Sequence, residues 1–370
     1  MTEMILPGVY VEVRSEGLIV GGAISSGNIG IVGTAKTGNN LEVVALSDYN
    51  QAKEIFGDYD AFDPSKTIEE FTLVRALEIA YANGASTVFA VKVASTDDTT
   101  YKAGFDKLLN ENVQIVVAAG KGFTISDSGI GNELSSHVNQ ASNFDFKSER
   151  IGIIGGPLKA TLAQIKDNKQ SNDFGRIIVV APGIKFTDAA AKNAEGQVEP
   201  KDVILPAAYT AAAVAGLLSS RDPEVSITNK SLSVAGLEQK FNATELKNLV
   251  TSRILAIEDR QGFRVVKGIS ATPGAFAQIT TRRIVDYASR GVRSAANPYI
   301  GLLNNDRVRK ALKGSINGFL AGMVDDEMLI NYDLDVTATR DEEIRGRAKV
   351  TLTLRPTFSI DFIQVTMFLG

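Results

Sequence analysis

Five short runs rich in valine and isoleucine most strongly constrain how this chain of 370 residues can fold. Apolar and polar residues do not alternate within the runs, which is typical of strands that are covered on both faces. Segments with helical periodicity separate them, so we predict a mainly parallel sheet with right-handed crossovers. The runs occupy residues 28–35, 86–94, 112–120, 150–156 and 175–183.

Capping signals and apolar spacing mark the helices. The clearest helix is predicted over residues 67–83, where Thr67 and Glu70 have the spacing of a capping box and Gly84 supplies a stop. An alanine-rich helix is predicted after Pro206. The other predicted elements are helices near 99–110, 127–144, 159–169, 277–292 and 305–322, two strands joined at Gln261-Gly262, and strands at 328–339 and 347–356 around the charged turn RDEEIRG. The predicted fold class is α/β in the first part and α+β overall.

Composition excludes several kinds of chemistry. The chain has no cysteine, so disulfides, thiolate catalysis and zinc–thiolate sites are excluded. Its one histidine, His137, would have to serve alone in a histidine-based metal site or a Ser-His-Asp triad. We predict that His137 occupies a helix surface, beside the apolar stripe. No cofactor and no metal site are therefore predicted, although an enzyme that uses aspartates and lysines alone stays open.

Charge and hydropathy argue against two classes of partner. The net charge of −4 is the opposite of the basic balance that proteins coating nucleic acid usually have. No apolar run reaches the roughly 18 residues that a membrane-spanning helix needs. We therefore expect no nucleic-acid partner and no membrane insertion of this chain.

One segment imitates a phosphate-binding loop. Residues 30–37, GIVGTAKT, match the pattern G-x-x-x-x-G-K-[ST] except that Ala35 replaces the second glycine. The methyl group of Ala35 would obstruct a backbone that has to wrap phosphates. A strand, LEVVAL, follows where a helix should present its amino terminus to the anion. We predict that Lys36 lies at the outward turn of a buried strand.

Both ends of the sequence carry strand patterns without local partners. Valines alternate with Tyr10 and Glu12 in PGVYVEV, and the glycine-rich stretch that follows contains no hairpin signal. The last residues, TFSIDFIQVTMFLG, also read as a strand. Single strands are not stable in water, and unpaired edges invite other chains. We predict that both segments pair with another chain.

Charge is divided into two blocks in the last third of the sequence. Between Arg282 and Lys313 there are eight basic residues and two acidic ones, whereas between Ala321 and Glu343 there are eight acidic residues and one basic one. Opposite blocks in a nearly neutral protein suit docking to charged surfaces. An ordinary solvated helix face is the alternative interpretation for any single residue.

Five segments, in this order along the chain, resemble contractile tail sheath proteins of phages and phage-tail-like injection systems. The similarity covers both ends and most of the length, and it is weakest over residues 95–200. The segments are PGVYVEV, NIGIVGTAKTGNNLEVVALSDYNQAKEIFG, AAYTAAAVAGLLSSRDPEVSITNKSL, RRIVDYASRGVRSAANPYIG and PTFSIDFIQVTMFLG.

The resemblance implies three regions. Residues 1–27 would be an N-terminal arm that pairs with a neighbouring subunit. Residues 28–200 would form an outer, mainly parallel-sheet α/β sheath domain. Residues 201–370 would form an inner, mixed α+β C-terminal sheath domain that ends in a strand arm.

The resemblance also implies a structural role instead of an enzymatic one, with no cofactor. Sheath subunits stack as hexameric rings around an inner tube and contract to drive the tube through a cell envelope. The implied partners are further copies of this chain, the inner tail tube protein, and baseplate and tail terminator proteins. The implied location is a phage tail or tail-like particle that is assembled in the host cytoplasm.

The resemblance assigns roles to three sets of residues. The N-terminal arm would use Val9, Tyr10, Val11, Glu12 and Val13. The C-terminal arm would use Phe358, Ile360, Phe362, Val365 and Met367. The tube-facing set would be Arg307, Arg309, Lys310 and Lys313. Two alternatives stay open: a nucleotide-binding α/β enzyme at Lys36, and another self-assembling tube or shell protein.

Overall fold

The computed structural model describes residues 25–66, 68–123, 129–171 and 175–369. These residues form two compact units. The sheet unit comprises Ser25–Arg290 and the segment from Pro356 onwards, and the small unit comprises Gly291–Arg355. The predicted boundary at residue 200 falls inside the sheet unit, because strands from both sides of it share one sheet. The assignment of outer and inner layers stays a prediction.

An eight-stranded sheet organises the sheet unit, in the order β11-β10-β6-β5-β4-β1-β3-β2. Neighbours from β10 to β3 are parallel, and the two edge strands β2 and β11 are antiparallel to their neighbours. The prediction of a mainly parallel sheet is confirmed. The strands of the described residues are β1 (Ile29–Thr34), β2 (Val43–Leu46), β3 (Val88–Val93), β4 (Ile115–Ala118), β5 (Ile151–Gly155), β6 (Ile177–Ala181), β7 (Ile184–Asp188), β8 (Lys201–Leu205), β9 (Gly236–Leu237), β10 (Leu255–Asp259), β11 (Phe263–Val265), β12 (Leu329–Thr337) and β13 (Lys349–Pro356).

Helices cover both faces of this sheet. They are α1 (Tyr49–Phe56), α2 (Leu73–Ala82), α3 (Asp98–Lys107), α4 (Gly129–Ala141), α5 (Leu162–Ser171), α6 (Ala207–Ser219), α7 (Ala243–Thr251), α8 (Ile279–Ala296), α9 (Asp306–Asp325) and α10 (Arg340–Ile344). Ile31 belongs to the core that includes α2 and α6, whereas the next residue, Val32, belongs to the core that includes α3 and α4. Burial on both faces explains why the strand sequences do not alternate.

The alanine-rich helix α6 packs closely on α2. Every residue from Ala207 to Leu218 is buried. A Cβ atom added at Gly216 would collide with the carbonyl oxygen of Ala80 in α2. The small side chains of α6 therefore set the close approach of the two helices.

The predicted start of α2 was wrong. The helix begins at Leu73, and Thr67 lies outside the described residues. Thr72 precedes the helix but does not cap it with its side chain. Its hydroxyl instead lies 3.1 Å from the Tyr101 hydroxyl and 3.3 Å from that of Thr34. The Thr72 hydroxyl, which could have capped the helix, therefore contacts residues that are distant in sequence instead.

The predicted surface position of His137 was also wrong. The residue is buried, and its ring stacks on Phe105 with 5.5 Å between ring centroids. Its Nε2 atom lies 3.2 Å from Nη1 of Arg150. Burial, followed by the charge of Arg150, lowers the pKa of His137 to about 3, so the imidazole is neutral. Helix α4 packs against both the sheet and α3, which buries a wider stripe than one apolar row indicates.

The small unit contains α9, β12, α10 and β13. Four apolar residues of α9 are buried at helical spacing: Leu312, Ile316, Leu320 and Met323. The segment predicted as a charged turn is the short helix α10, which a capping box of Thr339 and Glu342 begins. Strands β12 and β13 belong to a small two-stranded sheet, separate from a third sheet of order β8-β7-β9 in the sheet unit.

Candidate functional site

Exposed apolar side chains are concentrated in the last part of the sequence. Of the 17 strongly exposed large apolar side chains in the described residues, 13 lie between Ile300 and Leu369. Five of them belong to the small unit, and the other eight lie in the short stretch between Phe358 and Leu369 of the sheet unit. Exposed single apolar residues are normal on proteins, but eight in one short segment indicate an interaction surface.

The C-terminal segment, residues 357–369, holds most of these side chains. It forms no helix or strand with the rest of the described chain. The five predicted arm residues in it, Phe358, Ile360, Phe362, Val365 and Met367, have exposed fractions between 57% and 86%. Ile363, Phe368 and Leu369 are exposed as well. The segment thus has the composition of a buried strand but pairs with no strand of the described chain.

The apolar spacing of this segment changes once. Phe358, Ile360 and Phe362 occupy alternate, even-numbered positions. From Ile363 onwards the alternation shifts by one residue, to Ile363, Val365 and Met367. Successive side chains of a strand point to opposite faces. When the segment is extended, one face is therefore apolar before Phe362 and the opposite face after it. A partner has to cover both faces to bury the whole set.

The N-terminal arm residues Val9, Tyr10, Val11, Glu12 and Val13 lie outside the described residues. Their role stays a prediction.

The small sheet offers strands whose apolar face is incompletely covered. Along β12, the half-buried Tyr332, Leu334 and Val336 alternate with exposed polar residues. Strand β13 has the same alternation, with Val350, Leu352 and Leu354 half-buried. Two-stranded sheets are marginally stable in water, and further strands stabilise them. The predicted alternation of a buried and a solvated face is present, but the burial is partial.

Two of the four predicted tube-facing residues form ion pairs inside the small unit, and two do not pair with another described residue. Nη1 of Arg309 lies 2.9 Å from Oε1 of Glu343, and Nζ of Lys313 lies 3.4 Å from Oδ1 of Asp335. Hydrogen bonds from Arg340 and Arg309 hold the pKa of Glu343 below its ordinary value. The side chains of Arg307 and Lys310 are exposed and form no ion pair with another described residue.

Three glycines follow Lys310 along one face of α9. Gly314, Gly318 and Gly322 are spaced by four residues, and a Cβ atom at any of them would meet no described atom within 4 Å. An exposed helical glycine destabilises a helix by about 1 kcal/mol relative to alanine. Packing within the described chain gives no reason for these glycines, and no sequence pattern predicted them.

Buried hydroxyl groups of the protein occupy the position between β1 and β4 where a sheet of this topology usually binds ligands. The strand order reverses at β1 and β4, whose carboxyl ends flank the usual ligand position. There the buried hydroxyls of Thr34, Thr72 and Tyr101 contact one another, and Tyr101 donates to the carbonyl of Ala119 at 2.8 Å. These three hydroxyls contact one another in the folded chain, and Thr34 also lines a cavity of about 440 Å³ beside the ends of β1 and β3.

The segment that imitates a phosphate-binding loop has another structure. Strand β2 follows it, as predicted, instead of a helix. Nζ of Lys36 lies 2.5 Å from Oδ1 of Asp60, in an ion pair at the surface. The position of Lys36 at the outward end of β1 is therefore confirmed.

A buried ionic cluster joins α2 to β7 in the sheet unit. Nη2 of Arg75 lies 2.9 Å from Oε1 of Glu69, and Nη1 lies 3.3 Å from Oδ1 of Asp188. The guanidinium also stacks over the Tyr59 ring, 4.0 Å from its centroid. Burial raises the pKa of Glu69, and the charge of Arg75 opposes that shift. Glu69 and Tyr59 each line a surface cavity, but the charge of Arg75 is paired within the cluster, and we interpret the cluster as structural.

Among the described residues, no group of three or more histidine, aspartate or glutamate side chains is placed to hold a metal ion. None of the helices in this part of the chain combines the length and the apolar character that a membrane crossing requires.

Comparison with known proteins relates this chain to tail sheaths. Residues 271–370 match the family model of the phage tail sheath C-terminal domain. Over 368 aligned residues the chain is 24% identical to the tail sheath protein of Mycobacterium phage Bxz1. The alignment covers 94% of this chain and 60% of that protein. It is 23% identical over 283 residues to the tail sheath protein of Staphylococcus phage Twort, with 73% and 44% covered. The chain thus spans less than two thirds of these two relatives.

A solved structure matches along the whole chain. The sheath complex of an extracellular contractile injection system in its contracted state superposes with a TM-score of 0.71 and 18% identity, covering 100% of this chain and 98% of that chain. At this identity the match shows the fold. In its fold and in its sequence the chain resembles contractile tail sheath proteins, as predicted from the sequence.

Proposed function

We propose that this chain is a structural subunit of a contractile tail sheath and not an enzyme. Copies of it assemble as stacked hexameric rings around an inner tube, and the assembly contracts to drive the tube through a cell envelope. The C-terminal family match and the sheath fold support this function. The location that follows is a phage tail or tail-like particle, assembled in the host cytoplasm.

The observation that carries the proposal is the exposed apolar C-terminal segment. Burial of one large apolar side chain stabilises an assembly by about 1.5–3 kcal/mol, before the cost of ordering the segment. Eight such side chains lie exposed between Phe358 and Leu369. In the proposed sheath a neighbouring copy covers them by adding the segment to a sheet as a strand.

The small sheet of β12 and β13 is the proposed acceptor. Its partly covered apolar face and its length of eight or nine residues per strand suit an added strand. The N-terminal arm, with Val9, Val11 and Val13, is proposed to add in the same way. Two linked contacts per subunit give a closed lattice more durability than either contact alone.

The inner tube protein is the proposed partner of the exposed face of α9. Arg307 and Lys310 supply positive charge for an acidic tube surface. Without side chains at Gly314, Gly318 and Gly322, a partner approaches the helix backbone closely. Baseplate and tail terminator proteins are the proposed partners at the two ends of the sheath.

Electron microscopy of the purified protein tests the proposal. We expect tubes with a helical hexameric lattice, and a discrete closed oligomer would contradict it. Deletion of residues 358–370 is expected to leave a folded subunit that forms no tubes. The matched control is Phe144→Ser, which removes an exposed apolar side chain, 92% accessible, outside the proposed contact. This variant is expected to form tubes normally.

A further inference from the structure

The C-terminal segment is attached to the rest of the sheet unit at the carboxylate of Asp361. The side chain of Asp361 is 9% exposed, although its neighbours Ile360 and Phe362 are 79% and 82% exposed. Nζ of Lys267 lies 3.2 Å from its Oδ2 atom, and Gln278 donates to the same oxygen at 3.1 Å. Thr228 donates to Oδ1 at 3.3 Å. Three residues from different loops of the sheet unit therefore hold Asp361, and Nζ of Lys267 also lies 4.9 Å from the centroid of the adjacent Phe362 ring.

The chain enters the described sheet unit at a second point that is held by polar contacts. Nη1 of Arg290 donates to the carbonyl of Ser25 at 2.9 Å, and Nη2 of Arg283 donates to that of Ser26 at 3.2 Å. The Gln114 side chain accepts hydrogen bonds from the Ser25 hydroxyl and from the backbone N–H of Asn28.

Both points are held from the same helix. Arg283 and Arg290 lie on α8, and Gln278 immediately precedes it. The helix is itself fixed to the sheet by Asp286, which accepts two hydrogen bonds from Arg176, at 2.7 and 3.0 Å. Paired hydrogen bonds of this kind fix orientation as well as distance.

We infer that Gln278, Arg283 and Arg290 of the α8 region, together with Lys267, form a root clamp for both terminal segments. This inference rests on the proposed function and goes beyond it. The clamp fixes where each donated segment begins, so residues 362–369 reach a neighbouring copy from a defined point. A fixed origin reduces the entropy that is lost when the segment binds. Because α8 contacts both roots, a force on either terminal segment is transmitted to the same helix.

The C-terminal half of the clamp is tested with Asp361→Asn and Lys267→Met. Because the chain has no cysteine, spin labels at Thr366→Cys and Lys247→Cys report one distance in the unassembled subunit. We expect a wider distance distribution in both variants and a critical concentration for tube assembly that is raised about tenfold. The exchange Lys267→Asp with Asp361→Lys is expected to restore part of the effect.

The matched control is Lys240→Met. It removes a lysine whose Nζ atom pairs with Asp259 at 2.5 Å and which contacts neither root. We expect its distance distribution and its critical concentration to equal those of the unmodified protein. If Lys267→Met behaves like this control, the C-terminal half of the clamp is excluded.

The N-terminal half is tested with Arg290→Met, and the shared helix with Asp286→Asn. Arg290→Met is expected to speed hydrogen exchange at the amide of Asn28 and to leave the spin-label distances unchanged. Asp286→Asn is expected to change both measurements, because it loosens α8. A change in only one of these two measurements would contradict the shared clamp.

Absence of tubes from the unmodified protein would contradict the proposed function, whereas the spin-label and hydrogen-exchange data would still decide on the clamp.

Discussion

The sheet unit and the C-terminal segment use similar residues in opposite ways. Ile31 in β1 is fully buried between helices, whereas Ile360 is 79% exposed, although both lie in sequences that read as strands. The sheet has its own helices to cover it, whereas most apolar side chains of the segment stay exposed in the described chain. Apolar side chains thus stabilise the subunit in one region, and in the proposed sheath they stabilise the lattice in the other.

The largest effect is expected from breaking the buried ionic cluster. Arg75→Met leaves Glu69 and Asp188 buried without their cation, which should lower the free energy of unfolding by about 3–5 kcal/mol. Urea denaturation of the unassembled subunit measures this. Arg260→Met, which removes a largely exposed arginine paired with Glu258, should cost no more than about 1 kcal/mol.

A pair of isoleucine substitutions tests the comparison directly. Ile31→Ala should lower the free energy of unfolding by about 2–5 kcal/mol, because it leaves a cavity in the core. Ile360→Ala should change it by less than about 0.5 kcal/mol and should instead weaken tube assembly. Equal losses of stability in the two variants would show that residues 357–369 belong to the core of their own subunit.

Acid should destabilise the sheet unit through His137. Its pKa is about 3 in the folded protein and about 6.5 in the unfolded chain, so below pH 6.5 the unfolded state binds the extra proton. The stability that the neutral ring contributes is present above pH 6.5 and is lost as the pH falls toward 3. Between pH 7 and pH 5 the unmodified protein should lose about 2 kcal/mol more than His137→Asn, measured by urea denaturation. Parallel pH curves would contradict this.

The smallest effect on the subunit is expected at α9. Arg307→Glu with Lys310→Glu should change the free energy of unfolding by less than about 0.5 kcal/mol, because both side chains are exposed. Co-sedimentation with the inner tube protein should weaken, most clearly at low salt. Lys313→Glu, whose lysine is already paired with Asp335, should weaken it less. Co-assembly that both variants leave unchanged would remove the tube-facing role.

The sequence predicted the parts of the fold and site that local patterns determine. The five apolar runs became parallel strands, because no alternation means cover on two faces. The exposure of the apolar residues from Phe358 to Met367 agrees with a strand pattern that has no partner nearby in the sequence, and their role as an arm stays a prediction. The predictions that were wrong concerned His137 and the start of α2. In both cases side chains distant in sequence, such as Arg150 and Thr34, decided the outcome.

The sequence by itself determined the class of fold, the two unpartnered terminal strand patterns and the absence of thiol chemistry. Only the tertiary structure decided which charges are available. Arg309 and Lys313 are paired with Glu343 and Asp335, whereas Arg307 and Lys310 form no ion pair with any residue that the structure describes. It also brought Asp361 to Lys267 and Gln278, more than 80 positions earlier. The physical reason is that periodicity reports which face of an element is buried, whereas ion pairs and buried hydrogen bonds depend on distances between elements that no local pattern contains.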